Sequence, residues 1–482
     1  MRSLDVDVLI VGAGLSGIDM ACQMTRAVPD HTFAILEGRS AIGGTWDLFR
    51  YPGVRSDSDM YTLSFPFRPW TNASAISEGS EIRDYIRDTA DEFGISNRIC
   101  FDSRVIGASW SSPHARWTVR AETIEGLVEH TCRFLYLATG YYDYDSGHVV
   151  EFPGQSAFEG EVVHPQFWPE GLDLSGKRVV VIGSGATAVT LVPALVDAGA
   201  EHVTMLQRSP TYMLNLPGTD VLARAAFRVL PDRVAHRVTR AKNIAMTTTS
   251  YGLARRFPKG ARVALTKVVE KLLPDGYAVA QHFGPAYDPW DQRLCIVPDG
   301  DLFEAISSGT AEVATDTIDT FNSTGIRTTG GVDLPADVVV TATGLKLVVA
   351  GKVPLDVDGE VVDLHERFVY RGLMFDDLPN LVWVVGYTNN AWTLRADIAA
   401  RWTCRLLARM RREGRSVATP RHTGEEEGRP AIDLTSGYVQ RAAGLLPKQG
   451  ASRPWTVRQN YLFDRVFMSG RRADDEHLEL TS

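Results

Sequence analysis

The sequence has few cysteines and no long apolar run. Its five cysteines, Cys22, Cys100, Cys132, Cys295 and Cys404, are odd in number and far apart, and no C-x-x-C motif occurs. This pattern argues against a disulfide framework, a zinc site and a redox dithiol. No apolar run reaches the ~18 residues that span a bilayer, and the N-terminus lacks the pattern of a signal peptide. We therefore expect a soluble, cytoplasmic protein.

An excess of positive charge is also missing. The 482 residues carry a formal net charge of −9, with 44% hydrophobic and 23% charged residues. This balance argues against nucleic acid as a partner and against intrinsic disorder. At ~150 residues per domain, the length predicts about three structural units.

Two strand–turn–helix units stand out among the features that are present. In the first, the apolar run Val6–Val11 ends at Gly12-Ala13-Gly14-Leu15-Ser16-Gly17. In the second, Arg178–Ile182 ends at Gly183-Ser184-Gly185-Ala186-Thr187-Ala188. A helical pattern follows each turn, as at the start of a doubly wound sheet. We expect an α/β fold with two Rossmann-like dinucleotide-binding domains and an inserted helical subdomain.

The expected domain organisation follows from two further strands that end in Thr-Gly, at Gly140 and Gly344, where the chain can cross between domains. Residues 1–146 and 346–482 would form the first domain, 147–217 and 284–345 the second, and 218–283 the helical insertion. A C-terminal loop carrying Trp455 is expected to fold over the dinucleotide of the second domain.

The glycine-rich turns indicate phosphate binding. The first glycine permits a tight turn, and the second lets the backbone approach a pyrophosphate. The third position, Gly17 or Ala188, lets the helix pack closely on the strand. The helix N-terminus then offers N–H donors and a positive dipole end to phosphates. Because each copy has a strand before it and a helix after it, both are predicted dinucleotide sites.

The ends of the second strands indicate which dinucleotide each site prefers. Counting 25 residues from the first glycine reaches Glu37 in the first unit and Arg208 in the second. Glu37 can accept hydrogen bonds from two ribose hydroxyls, so the first site suits FAD or NAD. Arg208 can bind a 2′-phosphate through two N–H groups, so the second site should prefer NADP(H). Two such sites in one chain imply hydride transfer from a nicotinamide to a flavin. The reduced flavin would then pass its electrons to oxygen, a quinone or a partner protein.

Two longer motifs narrow these alternatives. The first runs from Gly44-Thr45-Trp46 through Tyr51-Pro52-Gly53 to Asp57. The second runs from Phe158-Glu159-Gly160 through His164 to Trp168-Pro169. They resemble the two fingerprints of type I Baeyer–Villiger monooxygenases, which are flavin-containing enzymes, and the similarity runs over nearly the whole chain.

The resemblance implies an FAD-dependent, NADPH-dependent oxidoreductase that uses O2. Such enzymes convert ketones to esters or lactones through a flavin C4a-peroxide, and sulfides or thioamides are further substrates. The resemblance implies that Arg293 is the active-site arginine, that Asp57 orients it, and that His164 lies on the linker between domains. A guanidinium stays charged up to pH ~12 and stabilises anionic oxygen in a dry site.

The residues expected to hold the two cofactors combine the glycine turns with positions that the resemblance implies. They are Gly12, Gly14, Ser16, Gly17, Glu37, Thr45, Trp46, Asp47, Leu48, Arg55, Ser56, Asp57, Val105, Gly183, Ser184, Gly185, Ala186, Thr187, Ala188, Val189, Thr190, Arg208 and Ser209.

Three other functions stay open. One is an oxygenase of nitrogen or sulfur that forms no ester, although the Trp168-Pro169 ending argues against it. The others are an NADPH oxidase or electron donor to a partner protein, and a dinucleotide sensor without catalysis.

The predicted helical insertion is strongly basic. From Arg224 to Lys271 it contains twelve Lys or Arg and two Asp or Glu. The simpler interpretation is a solvated basic face, and the alternative is weak peripheral contact with anionic lipid.

Overall fold

The computed structural model describes residues 2–292, 294–424, 426–432, 435–469 and 476–482. Its strands are β1 Asp5–Val11, β2 Phe33–Leu36, β3 Ile99–Cys100, β4 Ser103–Ser111, β5 Arg116–Thr123, β6 Gly126–Leu137, β7 Glu161–Val163, β8 Arg178–Ile182, β9 His202–Gln207, β10 Met213–Leu216, β11 Cys295–Pro298, β12 Ala311–Thr315, β13 Ile318–Asn322, β14 Gly325–Thr328, β15 Asp333–Pro335, β16 Val338–Thr341, β17 Leu355–Val357, β18 Glu360–Val361, β19 Val369–Tyr370, β20 Met374–Phe375, β21 Leu381–Trp383, β22 Val417–Pro420, β23 Arg429–Pro430, β24 Lys448–Gln449 and β25 Leu478–Thr481.

The helices alternate with these strands. They are α1 Leu15–Ala27, α2 Thr45–Leu48, α3 Met60–Leu63, α4 Gly79–Glu92, α5 Ala186–Asp197, α6 Val221–Val229, α7 Asp232–Arg256, α8 Pro258–Leu272, α9 Val279–Phe283, α10 Asp301–Ser307, α11 Trp392–Arg412, α12 Gly437–Arg441 and α13 Tyr461–Ser469.

The larger sheet is built around β1. The strand order is β18-β17-β4-β5-β6-β1-β2-β3, with β21 paired to β6. β1 pairs in parallel with β2 and β6, whereas β4, β5 and β6 form an antiparallel meander. The apolar run in β1 is buried on both faces of the sheet. Val8 and Ile10 pack with residues of α1 and α11 on one face, whereas Leu9 and Val11 belong to a second apolar cluster on the other face. Burial on both faces explains why this strand is continuously hydrophobic.

The smaller sheet contains five parallel strands in the order β12-β9-β8-β16-β7. α5 and α10 pack on one face of it. β8 and β16 are runs of valine and isoleucine, as expected for parallel strands that are buried on both faces.

The expected α/β fold, with two Rossmann-like sheets and a helical subdomain, is confirmed. Helices α6 to α9 lie in the chain between β10 and β11, which pair with each other in parallel. The exact domain boundaries remain predictions. Among the described residues, every helix falls short of the length or apolar character that a bilayer span requires.

Two segments connect the sheets, one between β6 and β7 and the other between β16 and β17, and they run side by side near residues 141–143 and 346–348. The N–H of Val348 donates to the carbonyl oxygen of Tyr141 at 3.0 Å, and the N–H of Asp143 donates to Lys346 O at 2.8 Å. The buried Asp143 carboxylate lies 2.7 Å from Lys352 Nζ and 3.0 Å from Lys346 Nζ. Burial would raise the pKa of Asp143, but the two lysines outweigh it and hold this pKa well below its ordinary value. Asp143 therefore ties the two connecting segments together.

Candidate functional site

The first glycine turn joins β1 to α1. Gly12 has a φ of +106°, and a Cβ there would meet the carbonyl oxygen of Ala138. A Cβ on Gly17 would overlap the carbonyl oxygen of Gly12. α1 begins after Gly14 with no side-chain cap and no acidic residue in its first turn. The cap residue and the first turn of α1 therefore supply no side-chain acceptor to the helix's own N–H groups.

The second glycine turn, between β8 and α5, differs at its third position. Gly183 has a φ of +141°, and a Cβ there would overlap a neighbouring carbonyl oxygen. Gly185 has open space around the place of a Cβ, and α5 begins after it without a side-chain cap. Ala188 is fully buried, so a methyl group fits where the first turn needs glycine. The hydroxyl of Ser184 donates to Ser209 O at 2.9 Å, which joins the turn to the end of β9.

Glu37 follows β2 and is only 5% exposed. One carboxylate oxygen accepts from the N–H of Ala13 at 2.7 Å, and the other accepts from the N–H of Arg39 at 2.9 Å. Burial raises the pKa of Glu37, and these two hydrogen bonds oppose that rise. Each oxygen retains acceptor capacity, so this carboxylate can accept from two further hydroxyls.

The strand register changes the alignment of the two units. β1 pairs with β2 up to Leu36, and β8 pairs with β9 up to Leu206. Glu37 therefore corresponds to Gln207, and Arg208 lies one residue further. The alignment of Arg208 with Glu37 is wrong by one position, because the second unit has one residue fewer between its first glycine and the end of its second strand. Gln207 is buried, whereas Arg208 is exposed.

The first cavity lies beside the first glycine turn. The indole N–H of Trp392 donates to Ser16 Oγ at 2.8 Å, and the Trp392 ring stacks on Tyr141 with centroids 4.9 Å apart. Sequence reasoning missed both aromatic residues, because only the fold brings α11 and the connecting segment to this turn. The predicted residues that line this cavity are Gly14, Ser16, Thr45, Trp46, Arg55, Ser56, Asp57, Ala186, Thr187 and Thr190.

The second cavity has a volume of about 570 Å³ and lies beside the second glycine turn. His148 and Arg441 also line it, and no sequence motif marked either of them. Burial lowers the pKa of both side chains. The predicted residues that line this cavity are Asp57, Gly183, Ser184, Gly185, Ala186, Thr187, Arg208 and Ser209.

Asp316 is a second acidic residue, besides Asp57, that lines the second cavity with Arg208. Asp316 accepts hydrogen bonds from Thr329 Oγ1 at 2.8 Å, from the N–H of Gly330 at 2.8 Å and from the N–H of Thr317 at 2.7 Å. Hydrogen bonds to the carboxylate, those from threonine side chains first, lower the pKa of Asp316 to about 2. Asp316 is therefore an anion at neutral pH.

Several predicted cofactor residues line neither cavity. Asp47 is buried, with its carboxylate 2.7 Å from both Arg39 Nη2 and Arg50 Nη2. The structure thus gives the Asp47 side chain an ion-pair role. The other predicted residues that do not line either cavity are Gly12, Gly17, Glu37, Leu48, Val105, Ala188 and Val189.

Asp57 lines both cavities, as do Tyr142, Ala186, Thr187 and Leu345. The two cavities therefore meet at the loop that precedes α3 and at the start of α5. This placement brings the acidic residue of the first fingerprint to the boundary between the two glycine turns.

Arg293 lies outside the described residues, so its predicted role stays a prediction. Its sequence neighbours Gln292 and Leu294 both line the second cavity. The segment before it is anchored to the helical subdomain, because Arg255 Nη1 lies 2.6 Å from Asp291 Oδ1.

Helix α7 also holds the loop that carries Asp57. The amide of Asn243 donates to Asp59 Oδ1 at 2.8 Å, and Asp59 caps the N-terminus of α3. The buried guanidinium of Arg240 donates to the carbonyl oxygens of Tyr61, Thr62 and Ser64 at 2.8 to 3.0 Å. One helix therefore contacts the segments on both sides of the candidate site.

His164, from the second fingerprint, lies at the connection between the sheets. Its ring rests so closely on Gly147 that a Cβ there would overlap the imidazole, and its Nδ1 accepts from the N–H of Gln166 at 3.2 Å. Burial lowers the pKa of His164. His164 lines neither cavity, which fits a role in the connecting segment.

Trp455 lies in the hydrophobic core and is 3% exposed, with its ring centroid 5.5 Å from that of Tyr370 and 4.8 Å from that of His422. It lines neither cavity. The prediction that it sits on a loop over the second dinucleotide is wrong, because burial of the large indole is favoured over exposure.

The residues beside both cavities suit a bound dinucleotide. Each lies beside a helix N-terminus without a side-chain cap, and the open space at Gly185 is the kind of cradle that a pyrophosphate needs. The carboxylate of Glu37 suits a ribose with free hydroxyls, as in FAD. The exposed guanidinium of Arg208 suits a ribose 2′-phosphate, as in NADP(H).

Comparison with known proteins gives two kinds of match. The family model for pyridine nucleotide-disulphide oxidoreductases matches residues 9–217. The FAD-containing monooxygenase EthA of Mycobacterium tuberculosis (strain CDC 1551 / Oshkosh) is 48% identical over 474 residues, covering 98% of this chain and 97% of that protein.

Solved structures with a similar fold include a steroid monooxygenase bound to NADP, with a TM-score of 0.79 and 22% identity. A cyclohexanone monooxygenase has a TM-score of 0.79 and 20% identity. Both matches cover 100% of each chain. At these identities the likeness concerns the fold.

Proposed function

Because the chain belongs to the family of FAD-containing monooxygenases, we propose that it is an NADPH- and O2-dependent Baeyer–Villiger monooxygenase that converts ketones to esters or lactones. One observation carries this proposal. Asp57 lines both cavities, so a hydride donor in the second can meet a flavin in the first beside one carboxylate.

The chain's own residues would bind the two dinucleotides as follows. The N-termini of α1 and α5 would bind the pyrophosphates, Glu37 the ribose hydroxyls of FAD, and Arg208 the 2′-phosphate of NADPH. FAD, when bound and reduced, supplies the activation of O2 that the reaction requires.

Asp57 and Arg293 would act at the reacting atoms. Arg293 would hold a permanent positive charge next to the oxygen that becomes anionic, since a guanidinium does not release its proton near neutral pH. Asp57 would orient that guanidinium. Aromatic side chains such as Trp392 and Tyr141 would limit the access of water to the first cavity, which strengthens these electrostatic effects.

The experiment is a product analysis with purified protein, FAD, NADPH, O2 and a panel of linear, cyclic and aryl ketones together with aryl sulfides. We expect esters or lactones from ketones and sulfoxides from sulfides. Sulfoxides without any ester would replace the proposal by a heteroatom oxygenase. Hydrogen peroxide equal to the NADPH consumed, with every substrate, would replace it by an NADPH oxidase.

Arg293→Ala tests the role of the arginine within this reaction. The variant should still be reduced by NADPH at a rate near that of the parent, but it should lose ester formation by a factor of roughly 100 or more, as expected for a lost charge-stabilising group. Arg293→Lys, which keeps a positive charge, is the matched control and should retain part of the activity. Ester formation by Arg293→Ala near the parent rate would remove the assignment.

A further inference from the structure

The helical subdomain carries an unusual share of the exposed apolar surface. Of the 21 large hydrophobic side chains that are strongly exposed among the described residues, eleven lie between Val221 and Val268. Single exposed hydrophobic residues are normal, but a concentration of them marks an interaction surface. We call the exposed face of α6, α7 and α8 the helical surface.

The first part of the helical surface is the outer stripe of α6. Val221, Leu222 and Val229 are 72%, 67% and 79% exposed, and their spacing places them on one side of a helix. The opposite side of α6 faces the protein, since Ala223 is buried and Phe227 stacks on Tyr61 of α3 at 6.0 Å. α6 is therefore apolar on its solvent side as well as on its inner side.

The apolar surface continues from α6 into the start of α7. Val234 and Val238 lie one turn apart on α7 and are 42% and 53% exposed. Arg233 and Arg237 lie next to them in sequence, are exposed, and share the same one-turn spacing. The arrangement alternates apolar and cationic side chains along one exposed face.

The α7–α8 corner repeats this combination. Leu253 and Phe257 are 56% and 59% exposed, and the exposed cations Arg256 and Lys259 lie beside them in sequence. Arg256 contacts the ring of Phe257 at 5.7 Å. α7 and α8 have few buried residues near this corner, so most of its side chains face solvent.

Helices α6, α7 and α8 contain only two acidic residues, Asp232 and Glu270, so the helical surface is predominantly cationic. Between Asp232 and Glu270 the sequence contains no acidic residue. Lys242, Arg255 and Arg262 form ion pairs with Asp220, Asp291 and Asp288. Eight further cations of this region form no ion pair with any described residue: Arg224, Arg228, Arg233, Arg237, Arg256, Lys259, Lys267 and Lys271.

We propose that the helical surface docks on an anionic lipid bilayer, with its hydrophobic side chains in the interface and its cations on the lipid headgroups. Apolar and cationic contacts together give reversible surface binding, whereas either alone is weak. A second copy of the chain would place like charges face to face across a twofold axis, which disfavours it. Single-stranded nucleic acid would require aromatic side chains for base stacking, and Phe257 is the one strongly exposed aromatic residue between Val221 and Val268.

The test is co-sedimentation of the FAD-loaded full chain with vesicles. We expect binding to equimolar phosphatidylcholine and phosphatidylglycerol, weaker binding at high salt, and little binding to phosphatidylcholine alone. Equal binding to both vesicle types, or binding to neither, would overturn the proposal. A protein that instead forms dimers through this surface in the absence of lipid would also overturn it.

Two variants separate the cationic and apolar contributions. Arg233→Gln with Arg237→Gln should weaken binding to the anionic vesicles by about tenfold or more, and Leu222→Ser with Val229→Ser should weaken it at every salt concentration. The matched controls are Arg87→Gln with Arg412→Gln, and Ile124→Ser with Val361→Ser, which change exposed residues of the first domain. If the controls weaken binding as much as the test variants, the helical surface is not the binding face.

These measurements do not depend on the reaction. Turnover of a small water-soluble ketone without vesicles should be equal in all four variants and the parent, so a failure of the lipid proposal is distinguishable from a failure of the proposed function.

Discussion

The two glycine turns have the same backbone plan but opposite chemistry at the ends of their second strands. In the first unit, buried Glu37 is fixed by two backbone N–H groups. In the second, the corresponding Gln207 is buried and the next residue, Arg208, is exposed to the cavity. The end of the second strand therefore carries a carboxylate in the first unit, and in the second unit a guanidinium one residue further along the chain. The comparison shows how one supersecondary unit can serve two different dinucleotides.

The largest expected effect comes from Gly17→Ala, which makes the first turn resemble the second. The added Cβ would overlap the carbonyl oxygen of Gly12, so the turn must deform. We expect loss of most bound FAD and a destabilisation of about 3 kcal/mol, at the upper end for overpacking. FAD content and the thermal midpoint measure both effects.

The reciprocal variant Ala188→Gly is the control for Gly17→Ala. It makes the second turn resemble the first and should cost only about 1 kcal/mol, from helix propensity and the lost methyl group. Equal effects of the two variants would mean that the third position does not distinguish the turns.

An intermediate effect is expected for Arg208→Ala, which removes the cation from the second unit. Hydrogen bonds to charged groups contribute about 1.5–3 kcal/mol, so KM for NADPH should rise roughly 10- to 100-fold while KM for NADH changes little. Steady-state kinetics with both nucleotides measure the change. Arg412→Ala, at an exposed site of the first domain, should leave the NADPH/NADH ratio as it is, and an unaltered ratio in Arg208→Ala would contradict the 2′-phosphate assignment.

The smallest effect concerns how the two domains are joined. Asp143→Asn should destabilise the protein at neutral pH by about 1–3 kcal/mol, since its lysine partners are half-exposed. The pKa of Asp143 is lowered in the fold, so its contribution is present above the ordinary aspartate pKa of about 4 and disappears as the pH falls below it.

Chemical unfolding at several pH values measures this contribution. The difference between Asp143→Asn and the parent should shrink in acid. Asp5→Asn, which alters an exposed ion pair with Arg116, should shift stability by less than about 1 kcal/mol at any pH. A pH-independent difference for Asp143→Asn would exclude the ion pairs as its cause.

Much of the architecture could be predicted from local signals. Apolar strands that run into Gly-x-Gly turns identified β1 and β8, and the Thr-Gly strand ends lie near the segments that connect the sheets. The one-residue error at Arg208 arose because counting along the chain cannot detect a shorter connection, which only the pairing of β9 with β8 reveals. Trp455 was misplaced because a large aromatic residue near the C-terminus carries no local sign of burial.

The sequence by itself determined the two glycine turns, the acidic and basic ends of the second strands, and the basic character of the helical insertion, because each depends on neighbouring residues. Only the tertiary structure decided that Asp57 lines both cavities, that Trp392 lines the first and that Arg441 lines the second. It also decided that α7 contacts the segments around Asp57 and Asp291. The longest of these contacts join residues far apart in the sequence, 376 positions for Trp392 and Ser16 and 184 positions for Asn243 and Asp59, and the packing of the two sheets and the helical subdomain sets them.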